Sequence, residues 1–182
     1  MGLASFLGIF FHDQYGLDKV TSGYFTALCV AAGSFMRPLG GYLADRFGGI
    51  RLLSVLYGVI ALFMLSVSLL PPIFLTTLFI LCGMACLGMG NGAVFQLVPL
   101  RFRKEIGVMT GVVGAAGGLG GFFLPTLLGF FKDSAGSYGV GFMVFAFASF
   151  GALLILRVVQ RGWSFTRLVR EIQDEIPVSV GR

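Results

Sequence analysis

The sequence predicts an all-α protein, a polytopic bundle of membrane-spanning helices. Three observations carry this. Hydrophobic residues make up 57% of the chain and charged residues 12%, against about 25% charged in an ordinary soluble domain. Uncharged apolar runs of roughly 20 residues recur along the chain, each long enough to cross a hydrocarbon core about 30 Å thick as a helix. These runs are continuous and lack the two-residue alternation of a membrane barrel strand. Glycine (28) and phenylalanine (20) are abundant, which suits helices packed closely in lipid.

Taken in order, residues 1–11 are apolar but only about 16 Å long as a helix, so they read as the end of one rather than a span. Residues 20–44 form a complete span interrupted by Arg37 and Pro38, and residues 52–70 form the next. Pro71 and Pro72 make the turn that follows, because proline breaks helices and restricts the residue before it. A third complete span covers 73–99, closed by the charged RFRKE at 101–105. A fourth covers 106–131 and ends in the polar KDSAGSYG, expected as a turn. The fifth covers 140–156. The membrane bundle therefore occupies 1–162. Residues 163–182 form a cytoplasmic amphipathic tail, in which Phe165, Leu168, Val169, Ile172 and Ile176 recur at helical spacing beside Trp163. That stripe suits a helix lying on the membrane surface, and equally a plain amphipathic tail.

The net charge of +5 needs no nucleic acid to explain it, because the basic residues sit in short loops and the tail. Alternate loops and the tail hold Arg46, Arg51, Arg101, Arg103, Lys104, Arg157, Arg161, Arg167, Arg170 and Arg182, whereas the opposite side holds Lys19 and Lys132. The positive-inside rule makes the first side cytoplasmic, with the C-terminus there, as in a multi-pass protein of the cell membrane. Cys29, Cys82 and Cys86 lie in apolar runs and behave as small hydrophobes. The first residues have no basic n-region or cleavage site, so no signal peptide is expected, and Phe6 breaks the myristoylation pattern. No metal, cofactor or nucleophile constellation appears. His12, the one histidine, sits near the outer edge beside Asp13, so the chain is not read as an enzyme.

Arg37 is the basic residue left over. It lies eight residues before Asp45, about 12 Å along a helix from the cytoplasmic loop. A bare guanidinium at that depth costs at least about 2.5 to 3.5 kcal/mol, so it should face protein, water or an anion. Snorkelling to the interface or a structural ion pair are the alternatives. Yet Asp13, Asp18, Asp45, Glu105, Asp133, Glu171, Asp174 and Glu175 all fall in loops, at span ends or in the tail. No internal carboxylate serves Arg37, and none is placed to carry protons. A planar oxyanion would satisfy its donor fork in a bidentate way.

Two further stretches stand out. In residues 111–130, Gly114 and Gly118, and Gly117 and Gly121, repeat at four, which bares helix faces for close backbone approach, for a narrow polar site or for bending. In GMGNGAVFQLVP, residues 88–99, Asn91 and Gln96 are placed at membrane depth, where they tie helices together or face a substrate path.

The stretch GGYLADRFGGIR, residues 40–51, resembles the loop motif of the major facilitator superfamily through Gly41, Leu43, Ala44, Asp45, Arg46, Gly48 and Arg51. Together with GNGAVFQLVP and the glycine run, it resembles the nitrate/nitrite porters of that superfamily. The resemblance implies the C-terminal six-helix half of such a fold, helices 8 to 12 plus the end of helix 7. Arg37 matches a buried arginine of helix 8. Gly111, Gly114, Ala115, Gly117, Gly118, Gly120 and Gly121 match the helix 11 signature. It further implies nitrate or nitrite as substrate and alternating access, with the Asp45 and Arg46 loop latching the cytoplasmic side. No cofactor is implied. The partner arginine and first glycine signature of the family belong to an N-terminal half, so transport by this chain alone is not expected. A carrier of another small anion, or a non-transporting half-length membrane fragment or subunit, are the other readings.

Overall fold

The computed structural model describes residues 2–101 and 104–175. They form six helices, α1 (Gly2–Tyr15), α2 (Lys19–Phe47), α3 (Gly49–Ser68), α4 (Ile73–Arg101), α5 (Ile106–Ala135) and α6 (Tyr138–Glu175), and no strand occurs among the described residues. Four of them contain segments long and apolar enough to cross a membrane, Gly49–Ser68, Ile73–Leu100, Ile106–Ser134 and Tyr138–Arg161. The all-α membrane bundle expected from the sequence is thus what the chain forms. Of the five expected spans the first, α2, has the length at 29 residues but not the apolarity. Arg37, Ser34, Thr21 and four glycines dilute it.

Helix boundaries run past the sequence bounds, because backbone hydrogen bonding continues through polar residues until a residue stops it. α1 reaches Tyr15 instead of Phe11, and α3 begins at Gly49. Most of the expected polar turn at 132–139 is helical. Lys132 to Ala135 are the last turn of α5, stopped by left-handed Gly136 (φ 66°), whose N–H donates to the Lys132 carbonyl at 2.8 Å. The α2–α3 corner turns on Gly48 (φ 87°), whose N–H donates to the Ala44 carbonyl at 3.0 Å, a backbone conformation that favours glycine. At the other end of α2, the Asp18 carboxylate caps the Val20 N–H at 3.2 Å. Pro71 and Pro72 lie in the α3–α4 turn as expected. The first part of the tail, residues 163–175, continues α6 without a break, so it is no separate element. The stripe residue Ile176 lies outside the described residues, as does the structure of 176–182.

α2 packs most extensively on α4, and α3 bridges α4 and α6. α1 is more than a helix end. Its Phe6, Leu7, Phe10 and Phe11 are buried in the main core with Ile60, Met64, Val67 and Phe142. Phe10 meets Phe142 edge-on at 5.0 Å and Tyr138 at 5.3 Å, a geometry favoured by the ring quadrupoles. α5 is the opposite case. It touches mainly α1 and α6, and Val112, Leu119, Phe122, Phe123 and Phe130 stand exposed.

Candidate functional site

The site grows from the seam between α2 and α4. A Cβ added to Gly88 would lie 1.9 Å from the Gly33 carbonyl oxygen, one on Gly92 2.0 Å from that of Arg37, and one on Gly40 2.0 Å from that of Met89. The two backbones are therefore in direct contact, as small residues permit between membrane helices. This contact fixes where the Arg37 backbone stands. Gly88 and Gly92 were not singled out from the sequence, although their spacing of four is the small-xxx-small signal that would have found them.

Beside the seam a cavity of about 270 Å³ opens, lined among others by Ser34, Arg37, Gly88, Asn91, Gly120 and Gly121. Leu3, Leu87, Leu124 and Phe145 supply apolar wall. No carboxylate lines it. Among the described residues the guanidinium of Arg37 makes no hydrogen bond or ion pair, and it is exposed within this six-helix unit rather than buried as expected. The physical reason is its place on α2, where its backbone carbonyl meets Gly92 of α4 while the residue itself stays exposed and lines the cavity. The site therefore presents one positive fork, an amide and a hydroxyl in an acid-free concavity, an arrangement that favours a small oxyanion.

Of the sequence-selected residues, the fold brings Arg37, Asn91 and Gly121 to this cavity, with Gly120 beside them; Ser34 joins them unforeseen. Gly114, Gly117 and Gly118 do not line it. Each faces open space, with no atom within 4 Å of an added Cβ. Only Gly121 of the four meets a close neighbour, since a Cβ on Gly2 would fall 2.4 Å from its carbonyl oxygen.

The loop residues occupy the end of the bundle beyond the cavity. Gly48 makes the corner described above, and Gly41 is half-buried with the Gly92 carbonyl 3.9 Å from its would-be Cβ. Asp45 accepts a hydrogen bond from Gln96 Nε2, which ties α2 to α4, while Gln96 Oε1 is buried without a partner. Arg46 lies 6.0 Å from the centroid of the Phe47 ring, and Arg51 is exposed. Among the described residues no ion pair joins Asp45 to Arg46. Of the two amides placed at membrane depth, then, Gln96 ties helices and Asn91 faces the cavity.

The opposite end of the bundle is gathered by α1. Asp13 pairs with Lys132 and accepts from the Tyr138 hydroxyl at 2.8 Å. The hydrogen bond from Lys132, and then that from Tyr138, hold the Asp13 carboxyl below its ordinary value. The Tyr15 hydroxyl donates to the Pro71 carbonyl at 2.7 Å and lies 2.6 Å from Thr76 Oγ1. One short segment thus holds both the α3–α4 and the α5–α6 turns. Among the described residues no group of His, Cys, Asp or Glu is arranged to hold a metal ion.

The Major Facilitator Superfamily profile matches residues 1–125. The chain is 39% identical over 148 residues to the nitrite extrusion protein of Bacillus subtilis, covering 80% of this chain and 38% of that protein. It is 35% identical over 154 residues to the probable nitrate transporter NarT of Staphylococcus epidermidis, covering 85% and 39%. The corresponding Staphylococcus aureus protein is 34% identical over 152 residues, covering 84% and 39%. The chain thus spans roughly two-fifths of the length of these relatives. No solved structure matches.

Proposed function

The chain belongs to the major facilitator superfamily, on its nitrate/nitrite porter branch, and from that premise we propose that it is the C-terminal half of a nitrate/nitrite transporter. The observation that carries the proposal is Arg37, unpaired among the described residues, at the rim of an acid-free cavity with Asn91 and Ser34. Nitrate and nitrite are planar, singly charged oxyanions, and the guanidinium fork matches two of their oxygens at once. A cation that would be costly at membrane depth becomes a site when its counter-charge is the substrate.

The second wall of the site comes from an N-terminal six-helix half. The exposed Gly114, Gly117 and Gly118 on α5 supply the smooth face against which its helices pack and flex. α2 crosses the cell membrane alongside α4, and the basic loops and C-terminus face the cytoplasm. Transport proceeds by rocking of the two halves about Arg37, with the Gly41 to Arg51 corner biasing the inward-closed state. No enzymatic step and no cofactor is involved.

The test is nitrate uptake by vesicles in which this chain is co-expressed with a six-helix N-terminal half. Uptake is expected from the pair and loss of it from Arg37→Lys. Undiminished nitrate uptake by the Lys variant would remove Arg37 from the site, and uptake of chloride or carboxylates in preference to nitrate would change the substrate.

A further inference from the structure

A second cavity, of about 290 Å³, opens between α1 and α2 and is lined by Ser5, Gly8, Ile9, His12, Lys19 and Gly23. Lys19 is eighteen residues from Arg37 on the same helix. At about 100° per residue that is five full turns, so the two cations share one face about 27 Å apart. α1 lines both cavities in consecutive turns, Gly2 to Ala4 at the inner one and Ser5 to His12 at the outer. Both cavities are lined in part by α1 and α2, and each thus carries one cation.

The acidic residues nearest the outer cavity are already engaged. Asp13 pairs with Lys132 and accepts from Tyr138, and the Asp18 carboxylate caps the Val20 N–H. Lys19 is exposed and has no hydrogen-bond or ion-pair partner among the described residues. His12 uses Nδ1 on the Leu17 carbonyl at 2.6 Å, so Nδ1 carries the hydrogen and the ring is held in place at the cavity wall. Ser5 adds a hydroxyl.

We propose that Lys19, with Ser5 and His12, forms an outer waiting station for small anions on the same face of α2 as Arg37. The inference deepens the transport reading by adding a site to it. Lys19 is too far from Arg37 to change affinity there, since charges in water are screened within about 8 Å at physiological salt. Its effect is on capture, which steered association makes sensitive to ionic strength. An ammonium suits this task because it is a hydrated point charge that holds and releases an anion without a bidentate grip.

Local anion concentration can be read without transport. A fluorophore on Gly23→Cys, where an added Cβ has no neighbour within 4 Å, reports collisional quenching by iodide and by neutral acrylamide in the full chain, reconstituted in phosphatidylcholine vesicles at low salt. Iodide quenching is expected to fall about threefold or more on Lys19→Gln, to be kept by Lys19→Arg and to lose the difference at high salt, with acrylamide unchanged. Equal iodide quenching in the two chains overturns the station. So does loss of the difference when anionic lipid is added, which would make a lipid headgroup the occupant of Lys19. A station seen this way beside an absence of nitrate uptake would sink the transport reading alone.

Discussion

The backbone of Gly92 lies against the carbonyl oxygen of Arg37, so closely that a Cβ on Gly92 would come within 2.0 Å of it. The residue read as substrate-binding is therefore positioned by a glycine on another helix.

Gly92→Ala is expected to push α2 off α4 and destabilise the chain by about 1 to 3 kcal/mol, the usual range for overpacking. A lower melting temperature in detergent, with nitrate binding weakened alongside, is the outcome to look for. Gly118→Ala should behave differently. The added methyl has open space in this chain, and alanine is favoured over glycine in a helix by about 1 kcal/mol. The isolated chain should keep or gain stability, while uptake by the assembled transporter falls because the methyl obstructs the partner half.

Arg37→Lys preserves charge but removes the planar fork. A loss of about 1 to 2 kcal/mol in nitrate affinity, roughly 5- to 30-fold, is expected from isothermal titration. Asn91→Ala should weaken binding by about 1 kcal/mol, the net worth of one hydrogen bond. Equal affinity in the Asn91 variant would place that amide outside the site.

Gln96 and Asp45 should be energetically coupled. A double-mutant cycle with Gln96→Leu and Asp45→Asn is expected to give about 1 kcal/mol or more, as for a hydrogen bond to a charged group. The Asp45 and Arg46 pair should give close to nothing. A larger coupling in the second cycle would restore the acid–base pairing that the loop motif implies.

The Asp13 cluster predicts a pH dependence. A carboxyl whose folded value lies below its ordinary 3.8 contributes stability that is full above that value and is lost as pH falls through the folded one. Asp13→Asn should therefore melt at lower temperature than the parent at pH 7, by a modest margin since the pair is partly exposed. The gap should close only in strong acid. A gap independent of pH would mean that the carboxylate charge contributes nothing.

Much of this was open to reading along the chain. The membrane-length helices and the Pro71–Pro72 turn follow from local composition and backbone preference, although α2, one of the five spans expected, lacks the apolarity of the other four. The absence of any carboxylate near Arg37 followed from placing every acid in the sequence. The burial expected of Arg37 did not follow, because burial depends on which elements stand across from a side chain. Nor did the role of α1, whose fourteen residues look like a helix end in one dimension. Placed against α5 and α6, they contribute the central aromatic cluster and hold two turns.

The sequence by itself determined the helical membrane class, the asymmetry of basic residues between the loops and the isolation of Arg37 from acids, since each depends on residue type and position along one chain. Only the tertiary structure decided which bare glycine face is filled. Gly88 and Gly92 meet α2, whereas Gly114 and Gly118, at the same spacing, meet nothing in this chain. A missing side chain permits close approach without naming the partner; the partner is set by how the helices fit together in space.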